Sequence, residues 1–487
     1  MYISCSLEMK ETSRARNRKE ETSSRRQYSV EYYMSKGETK YRVCKTMFLN
    51  THGIGEYSAL QWKKENNQLG QRDLDSSPER TEPEQSRKRQ ARNETLKMRV
   101  DCLQLFFKEL PKTSEPLTNG FSLIHSPNAK LAKTIIDKYL CLPMPECICC
   151  VEYIWIDGTG ENVRSKSRTL EFIPDNHKEV PTWGCDGIAS MLAVPKETDV
   201  LLVPIAMYND PFRRSNNKLV LCDTYEFDGK PLPSNNRKSC ADAVNQVCDH
   251  EIMWGMEQQY LVMDMDERPF GWPVILGEPR RRRTYYCGIG GNKVFGREIA
   301  ESHYRACLYA GVQIGSIHPD AVPGQWEFQI GVVPGIKAAD DLWVGRYILG
   351  RIAEEYGVHI CYHPKHFDNF PGCSCHVNFS TKTTRKDNGL PVLEEFMEKL
   401  SKRHDAHLKR YDPYGGEQNK LRLTGHDGTS AVDKFTSGVG DKSLSVRVTK
   451  ETATKKKGYM EDRRPSSNCD PYAACDMIIR TCLLGEC

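Results

Sequence analysis

Two acidic residues one position apart on a strand share a face, so an E-x-E pair can hold two metal ions side by side. In the stretch GMEQQY, Gly255 to Tyr260, the first such position is Glu257 but the second is Gln259. An amide oxygen can touch a metal, yet it brings no negative charge. Further along, Asp320 and Glu327 lie in DAVPGQWEFQIG, His376 lies in CSCHVNFS, and Glu461, Arg463 and Arg464 crowd into YMEDRRPSSNCDP. Hard oxygen ligands with one imidazole suit Mg2+ or Mn2+, and arginines beside them suit phosphate. Phosphoryl transfer is the chemistry these residue types suggest, although each taken singly is an ordinary strand or loop residue.

The elements that must position these groups follow from hydrophobic spacing. AKTIIDKYLCLP has helical spacing of Leu131, Ile135, Ile136 and Tyr139 and ends at Pro143. VEYIWIDGTG, SRTLEFIP and DVLLVPIAMY read as strands separated by turn residues. From about Arg237 helices and strands alternate. SCADAVNQVCDHEI is helical, YLVMDM a strand, and REIAESHYRACLYAG a long helix with Gly311 as its stop. WEFQIGVV is a strand, DDLWVGRYILGRIAEEYG a helix, and VLEEFMEKLSKRHDAHLKRY another. No repeat of solenoid length is present. The expected class is α+β: a small β-rich domain, then a larger domain on an antiparallel sheet with helices.

At 487 residues the chain can bury two domains of ordinary size, and 38% hydrophobic with 28% charged residues suits a soluble protein. No run of 18 apolar residues exists, so no transmembrane helix is expected. The N-terminus lacks the apolar core of a secretory signal, and the cytoplasm is the expected compartment. A mitochondrial transit peptide is the alternative, opposed by Glu8, Glu11 and Glu20. In that setting the 20 cysteines are expected as reduced thiols. Cys147, Cys149 and Cys150 lead into a strand-like run, so strand packing is expected there rather than zinc.

Residues 1–100 carry 21 Lys/Arg against 14 Asp/Glu, an excess of seven that exceeds the whole chain's +4. Residues 1–125 are therefore expected to form a polar, disordered extension. QSRKRQARNETLKMR and the run Arg280–Arg283 are basic enough to touch nucleic acid, but aromatic partners are few and solvated charge is the expected role.

A resemblance gathers these residues. GMEQQY, HYRACLYAG, GQWEFQIG, CHVNFSTK, KRYDPYGG, RLTG and KKGYMEDRRPSSNCDPY look like glutamine synthetase of the eukaryotic type. WIDGTGE, WGCDG and DPFRRSNNKLVLCDTY continue the match into the smaller domain, so that it covers roughly residues 128–487. The resemblance implies a β-grasp domain over 126–236 and a catalytic domain over 237–487. It also implies a homo-oligomer of stacked rings with active sites shared between neighbours, or a mixed ring with an active paralogue. The implied substrates are ATP, glutamate and ammonium, joined through γ-glutamyl phosphate with Mg2+ or Mn2+ as cofactor; no membrane and no nucleic acid are implied as partners.

Carried over position by position, Glu257, His376 and Glu461 match the ligands of the metal that serves the nucleotide phosphates. Ser380 and Arg385 match nucleotide contacts, Arg447 and Arg463 match phosphate-binding arginines, and Lys442 stands where the family has arginine. The glutamate-side metal should have three glutamates; here they are Gln259, Asp320 and Glu327. The glutamate loop, N-G-A-G-C-H in the family, reads P-G-C-S-C-H, with Pro371 and Ser374 as departures and Gly372 kept. In the flap, R-L-T-G-x-H-E-T-S becomes R-L-T-G-H-D-G-T-S, so Gly428 replaces a glutamate while Arg422, the match to a substrate-carboxylate contact, survives. Asp186 matches the base that deprotonates ammonium, but Ile188 and Ala189 follow it in place of serines. The changes gather around glutamate and ammonium. The expectation is a glutamate–ammonia ligase of reduced activity, with a pseudoenzyme that keeps ring assembly and nucleotide binding as the alternative.

Overall fold

The computed structural model describes residues 126–193, 198–272 and 284–486, together with the backbone of three strands near the N-terminus. The chain divides into two units, 1–116 and 117–487. In the first, β1 (Ile3–Glu11), β2 (Tyr28–Lys36) and β3 (Thr39–Val43) pair antiparallel in sequence order. The polar extension expected over 1–125 thus carries three strands; most of its remaining residues, including the basic run after Gln85, lie outside the described residues, as does Arg280–Arg283.

The second unit holds two sheets. The smaller comprises β4 (Cys149–Ile156), β5 (Val163–Leu170), β6 (Trp183–Asp186), β7 (Asp199–Asn209) and β8 (Lys218–Glu226) in the order β5-β4-β8-β7-β6. Its pairs are antiparallel except β4 with β8. Cys149, Val151, Tyr153, Leu202, Val220 and Cys222 form its apolar core. Of the three cysteines expected to pack there, Cys149 does, Cys150 is half-buried and Cys147 is exposed before the strand; the described cysteines are all free thiols.

The larger sheet comprises β9 (Met253–Met263), β10 (Ile314–Pro319), β11 (Gln325–Pro334), β12 (His359–Cys361), β13 (Cys375–Ser380), β14 (Ser437–Val439), β15 (Val446–Val448) and β16 (Met460–Asp462). Its order is β10-β11-β9-β13-β16-β15-β14, with β12 beside β9 and only β14 with β15 parallel. Alternation along β9 decides the function of each face. Met256, Gln258 and Tyr260 are buried in the core, whereas Glu257 and Gln259 point to the opposite face. The core face packs on the helix Lys337–Tyr356, whose Leu342, Trp343, Ile348 and Leu349 are fully or almost fully buried.

Most expected elements are found. The helix Arg297–Ala310 ends at Gly311 with φ +92°, the left-handed stop that glycine adopts without a Cβ penalty. The strand read at YLVMDM begins earlier, at Met253, because polar Glu257 and Gln259 hide its first half from hydrophobic pattern. The single helix expected over VLEEFMEKLSKRHDAHLKRY is two, Leu390–Lys402 and His404–Arg410. Arg403 breaks it at φ −119°, ψ 16°. The break lets His404 reach Arg464 and the Val432 carbonyl, and lets His407 reach Tyr411 and Thr481. Buried polar contacts override helix propensity here.

The division at 116/117 predicts that a chain beginning at Leu117 folds without what precedes it. Its thermal unfolding should match that of the second unit in the full chain, with unchanged near-ultraviolet dichroism. Loss of soluble, cooperatively unfolding protein on this truncation would contradict that.

Candidate active site

Register carries the polar stripe from strand to strand. Glu327 of β11 stands opposite Gln259 of β9, His376 of β13 opposite Glu257, and Arg447 of β15 opposite Glu461 of β16. Residues directly opposite within a sheet have Cβ atoms about 5 Å apart, so side chains from five strands converge on one face. The site is a band of β-sheet, built by pairing.

On one side, ligand atoms of Glu257, His376 and Glu461 all lie within 4.8 Å of one another. His376 Nδ1 is 3.2 Å from Glu257 Oε2 and 3.6 Å from Glu461 Oε1. Asn378, two residues beyond His376 on the same face, donates to Glu257 Oε1 at 2.9 Å. Burial pushes Glu257 up, but His376, Asn378 and Arg463 outweigh it and hold this carboxylate down at about 2. His376 is pushed below its ordinary range by burial and by Arg463. Two carboxylates and an imidazole, converging and largely buried, fit a small hard divalent cation such as Mg2+ or Mn2+.

Arginines border this cluster. Arg447 Nη2 reaches Glu461 Oε2 at 2.6 Å, and Arg463 Nη1 pairs with Glu461 Oε1. Arg463 Nε donates to the Lys442 carbonyl at 2.9 Å, so Lys442 meets the site through its backbone. Its ammonium lies 6.0 Å from the Tyr286 ring. Arg447 Nε is buried and has no hydrogen-bond partner. A buried guanidinium N–H without an acceptor is costly, and an anionic ligand would supply one. Beyond the cluster, Arg385 Nη1 donates to Ser380 Oγ at 3.0 Å and Nη2 to the Glu251 carbonyl at 2.6 Å. The nucleotide-side residues read from sequence thus lie on neighbouring strands and the turn after β13.

The other side differs. Gln259 Nε2 donates to Asp320 Oδ2 and, at 3.1 Å, to Glu327 Oε2. Gln329 donates to Glu327 Oε1 at 3.3 Å. Burial, then the charges of Glu257 and Asp320, push Glu327 up to about 8. Burial likewise raises Asp320. These carboxyls face one another across an amide and do not form an open ligand set.

The expected substrate residues separate into three places. Arg422 is buried, and its Nη2 donates to the carbonyls of Arg464 at 2.7 Å, Arg463 at 3.3 Å and Pro465 at 3.3 Å. These contacts make it a brace of the loop after β16. Gly372 is held by close approach: a Cβ there would meet the Pro364 carbonyl oxygen at 2.1 Å and Arg422 Cγ at 2.9 Å. Gly428 has φ +81° with open space around it. A glutamate at this position would meet no clash but would adopt a left-handed backbone at a cost of about 1 kcal/mol. Asp186, at the end of β6, caps its own turn, accepting from the backbone N–H groups of Ile188 and Ala189 at 2.9 and 3.0 Å. It lines a separate surface groove with Lys166, Thr198 and Phe227.

Sequence reading missed Asn378 and Gln329 as site members, although each sits two residues from a residue it named, which is the spacing of one strand face. It also missed Arg346. This buried guanidinium holds Gln258 Oε1 at 2.6 Å and the Ser467 and Cys469 carbonyls at 3.0 Å each. It lies on the helix behind the sheet, where no motif announces a site.

Comparison with known proteins agrees with this architecture. Residues 242–404 match the family described as glutamine synthetase, catalytic domain. The chain is 47% identical over 362 residues to glutamine synthetase 2 cytoplasmic of Drosophila melanogaster, covering 74% of this chain and 98% of that one. It is 49% identical over 371 residues to glutamine synthetase 1, mitochondrial, of the same organism, covering 76% and 92%. The glutamine synthetase of Rattus norvegicus is 47% identical over 362 residues, covering 74% and 96%. A solved structure titled "Apo GmaS without ligand" shares the fold, with a TM-score of 0.54 at 18% identity over 69% of this chain and 77% of that one.

Glu461 is the hinge of the cluster's charge balance, facing both arginines. Glu461→Gln should destabilise the ligand-free protein by about 3 kcal/mol, because two partly buried guanidinium groups lose a buried counter-charge. Inorganic phosphate should then raise the melting temperature of the variant more than that of the parent. Equal melting temperatures without phosphate would contradict this electrostatic assignment. With its fold, its ordered motifs and this near-complete coverage of curated relatives, the chain belongs to the glutamine synthetase family of ligases.

Proposed function

We propose that this chain keeps the nucleotide half of an ATP-dependent glutamate–ammonia ligase and performs the ligation itself slowly. The observation that carries the reading is the contrast across β9: Glu257 faces an open carboxylate–imidazole cluster, whereas Gln259 is hydrogen-bonded into the acids beside it. Glu257, His376 and Glu461 would hold a Mg2+ or Mn2+ ion. A bound ion of this kind neutralises charge on the nucleotide phosphate oxygens. Arg447, with its unpartnered Nε, and Arg463 orient and neutralise the phosphates from the other flank. Ser380 and Arg385 would contact the nucleotide.

Glutamate and ammonium have fewer groups waiting. Arg422 spends Nη2 on backbone carbonyls and Nε on Asn419, Pro371 offers no N–H, and Gly428 supplies no side chain to close over ammonium. A pseudoenzyme that retains nucleotide binding is the second reading, favoured by the same Gln259 contacts.

The smaller sheet is proposed as the family's β-grasp domain, over 126–236. Its Asp186 is proposed to complete the site of a neighbouring subunit in a ring. The apolar Ile188, Met191 and Phe227 near it are 45%, 52% and 75% exposed, a face suited to being covered. The cytoplasm is the proposed compartment; no described helix is long and apolar enough to cross a membrane.

Mg-ATP should bind and stabilise the protein by about 2.7 kcal/mol at a hundredfold excess over its Kd, with little further shift on adding glutamate. Glutamine formation from ATP, glutamate and ammonium should be slow or absent. A rate of about 10 per second, an ordinary enzyme turnover, would overturn the reading. Restoring the family residues at Gln259, Asp320, Pro371 and Gly428 together should recover activity that Gln259→Glu alone does not, since such residues act as a unit. Light scattering should give a mass many times 55.7 kDa; a monomer at micromolar concentration would contradict the shared site.

A further inference from the structure

The Gln259 amide has no freedom in its orientation. Its Oε1 lies 2.9 Å from the Ser374 backbone nitrogen and 2.8 Å from the Ser374 hydroxyl. A backbone N–H can only donate, so the oxygen of the amide must face Ser374 and the NH2 group must face the acids. That group has two protons, and two carboxylate oxygens receive them, Asp320 Oδ2 and Glu327 Oε2. The donor and acceptor inventory closes.

A divalent ion between Asp320 and Glu327 would meet N–H protons where it needs a lone pair. Turning the amide over would present a ligand oxygen, but it would set NH2 against the Ser374 N–H, donor against donor, at a buried position. Ser374 is 3% exposed. Its hydroxyl extends the same constraint into the nucleotide side, because His376 Nε2 lies 2.8 Å from it. Having given its one proton to Gln259, the hydroxyl accepts from His376 Nε2–H. The other ring nitrogen, Nδ1, faces Glu257 at 3.2 Å and Glu461 at 3.6 Å, so Ser374 holds the ring that reaches both acids.

We propose that the Gln259 amide, held by Ser374, is a tethered replacement for the second divalent ion, so that this chain binds one such ion per site and not two. The two N–H bonds occupy one oxygen each of Asp320 and Glu327 without adding charge, and they cannot be exchanged or removed. Ser374 is then a positioning residue with two effects: it orients the amide and holds the imidazole ring through Nε2. This inference rests on the family reading for the expectation of two ions, while its test is independent of ligase activity.

Mn2+ bound to the full chain is counted by equilibrium dialysis with electron paramagnetic resonance. The parent should hold one ion, lost in Glu461→Gln, and Gln259→Glu should hold two. In chelator, Gln259→Glu places three carboxyl groups against one another and should melt several degrees below the parent; added Mn2+ should close that gap. A parent ion that survives Glu461→Gln, or a Gln259→Glu variant that gains no ion and melts like the parent, would overturn the proposal. If Gln259→Glu does not fold, the parent count still decides. A parent that holds two ions, or none, would overturn it as well.

Discussion

A buried guanidinium on the far face of the sheet fixes the strand that carries the site. Arg346 places Nε and Nη2 on Gln258 Oε1 at 3.0 and 2.6 Å, between the two site residues of β9. The same Nη2 holds the Ser467 and Cys469 carbonyls, so β9 is tied to the loop that follows Arg463 and Arg464. No described carboxylate pairs with Arg346; carbonyl dipoles and the Trp343 and Tyr362 ring faces, 4.7 and 5.2 Å from its guanidinium carbon, take that role. Leaving such acceptors without a donor costs about 1–3 kcal/mol each. With Gln258 held inward, Glu257 and Gln259 must point outward. The face and register of the whole polar stripe follow from that.

Across the stripe, charge is managed in two ways. On the Glu257 side, the carboxylates of Glu257 and Glu461 converge with His376, and Arg447 and Arg463 pair with Glu461 at the edge. This arrangement leaves room for a cation and a phosphate. On the other side, the acids are answered internally by an amide, and Glu327 is pushed up by burial and by its neighbours. The first half is built to be completed by ligands. The second is complete without them. Ser374 joins the halves, and it is itself one of the positions where the chain departs from its family, as is Gln259. That two departures share a hydrogen bond argues for adjustment of one to the other.

Much of this was legible in the sequence. Ordered motifs identified the family, and the types at Glu257, His376 and Glu461 marked a candidate cation cluster whose ligand atoms the fold brings within 4.8 Å of one another. The helix ending at Gly311 was readable because a left-handed stop has a residue signature. The true start of β9 was not, since its outward positions are polar and break the apolar run. The break at Arg403 was hidden for the opposite reason: local spacing is helical on both sides, and the cause is contact with Arg464 and Thr481 far along the chain. Sequence also showed that Gln259 lacks a charge, but not that its NH2 finds two acids and its oxygen a serine. Arg422 shows the remaining limit, because a matching motif named a substrate role for it and could not show that its Nη2 also braces the loop after β16.

The account's central claim is that ATP is held but its terminal phosphoryl group is passed on poorly. A single-turnover rapid-quench experiment tests it most directly, with radiolabelled ATP limiting, protein in excess, and saturating Mg2+ and glutamate. ATP should become bound while ADP accumulates far more slowly than one equivalent per site within the first second. A burst of ADP equal to the site concentration on that timescale would contradict it, and would show that the Gln259 amide serves phosphoryl transfer as well as an ion does.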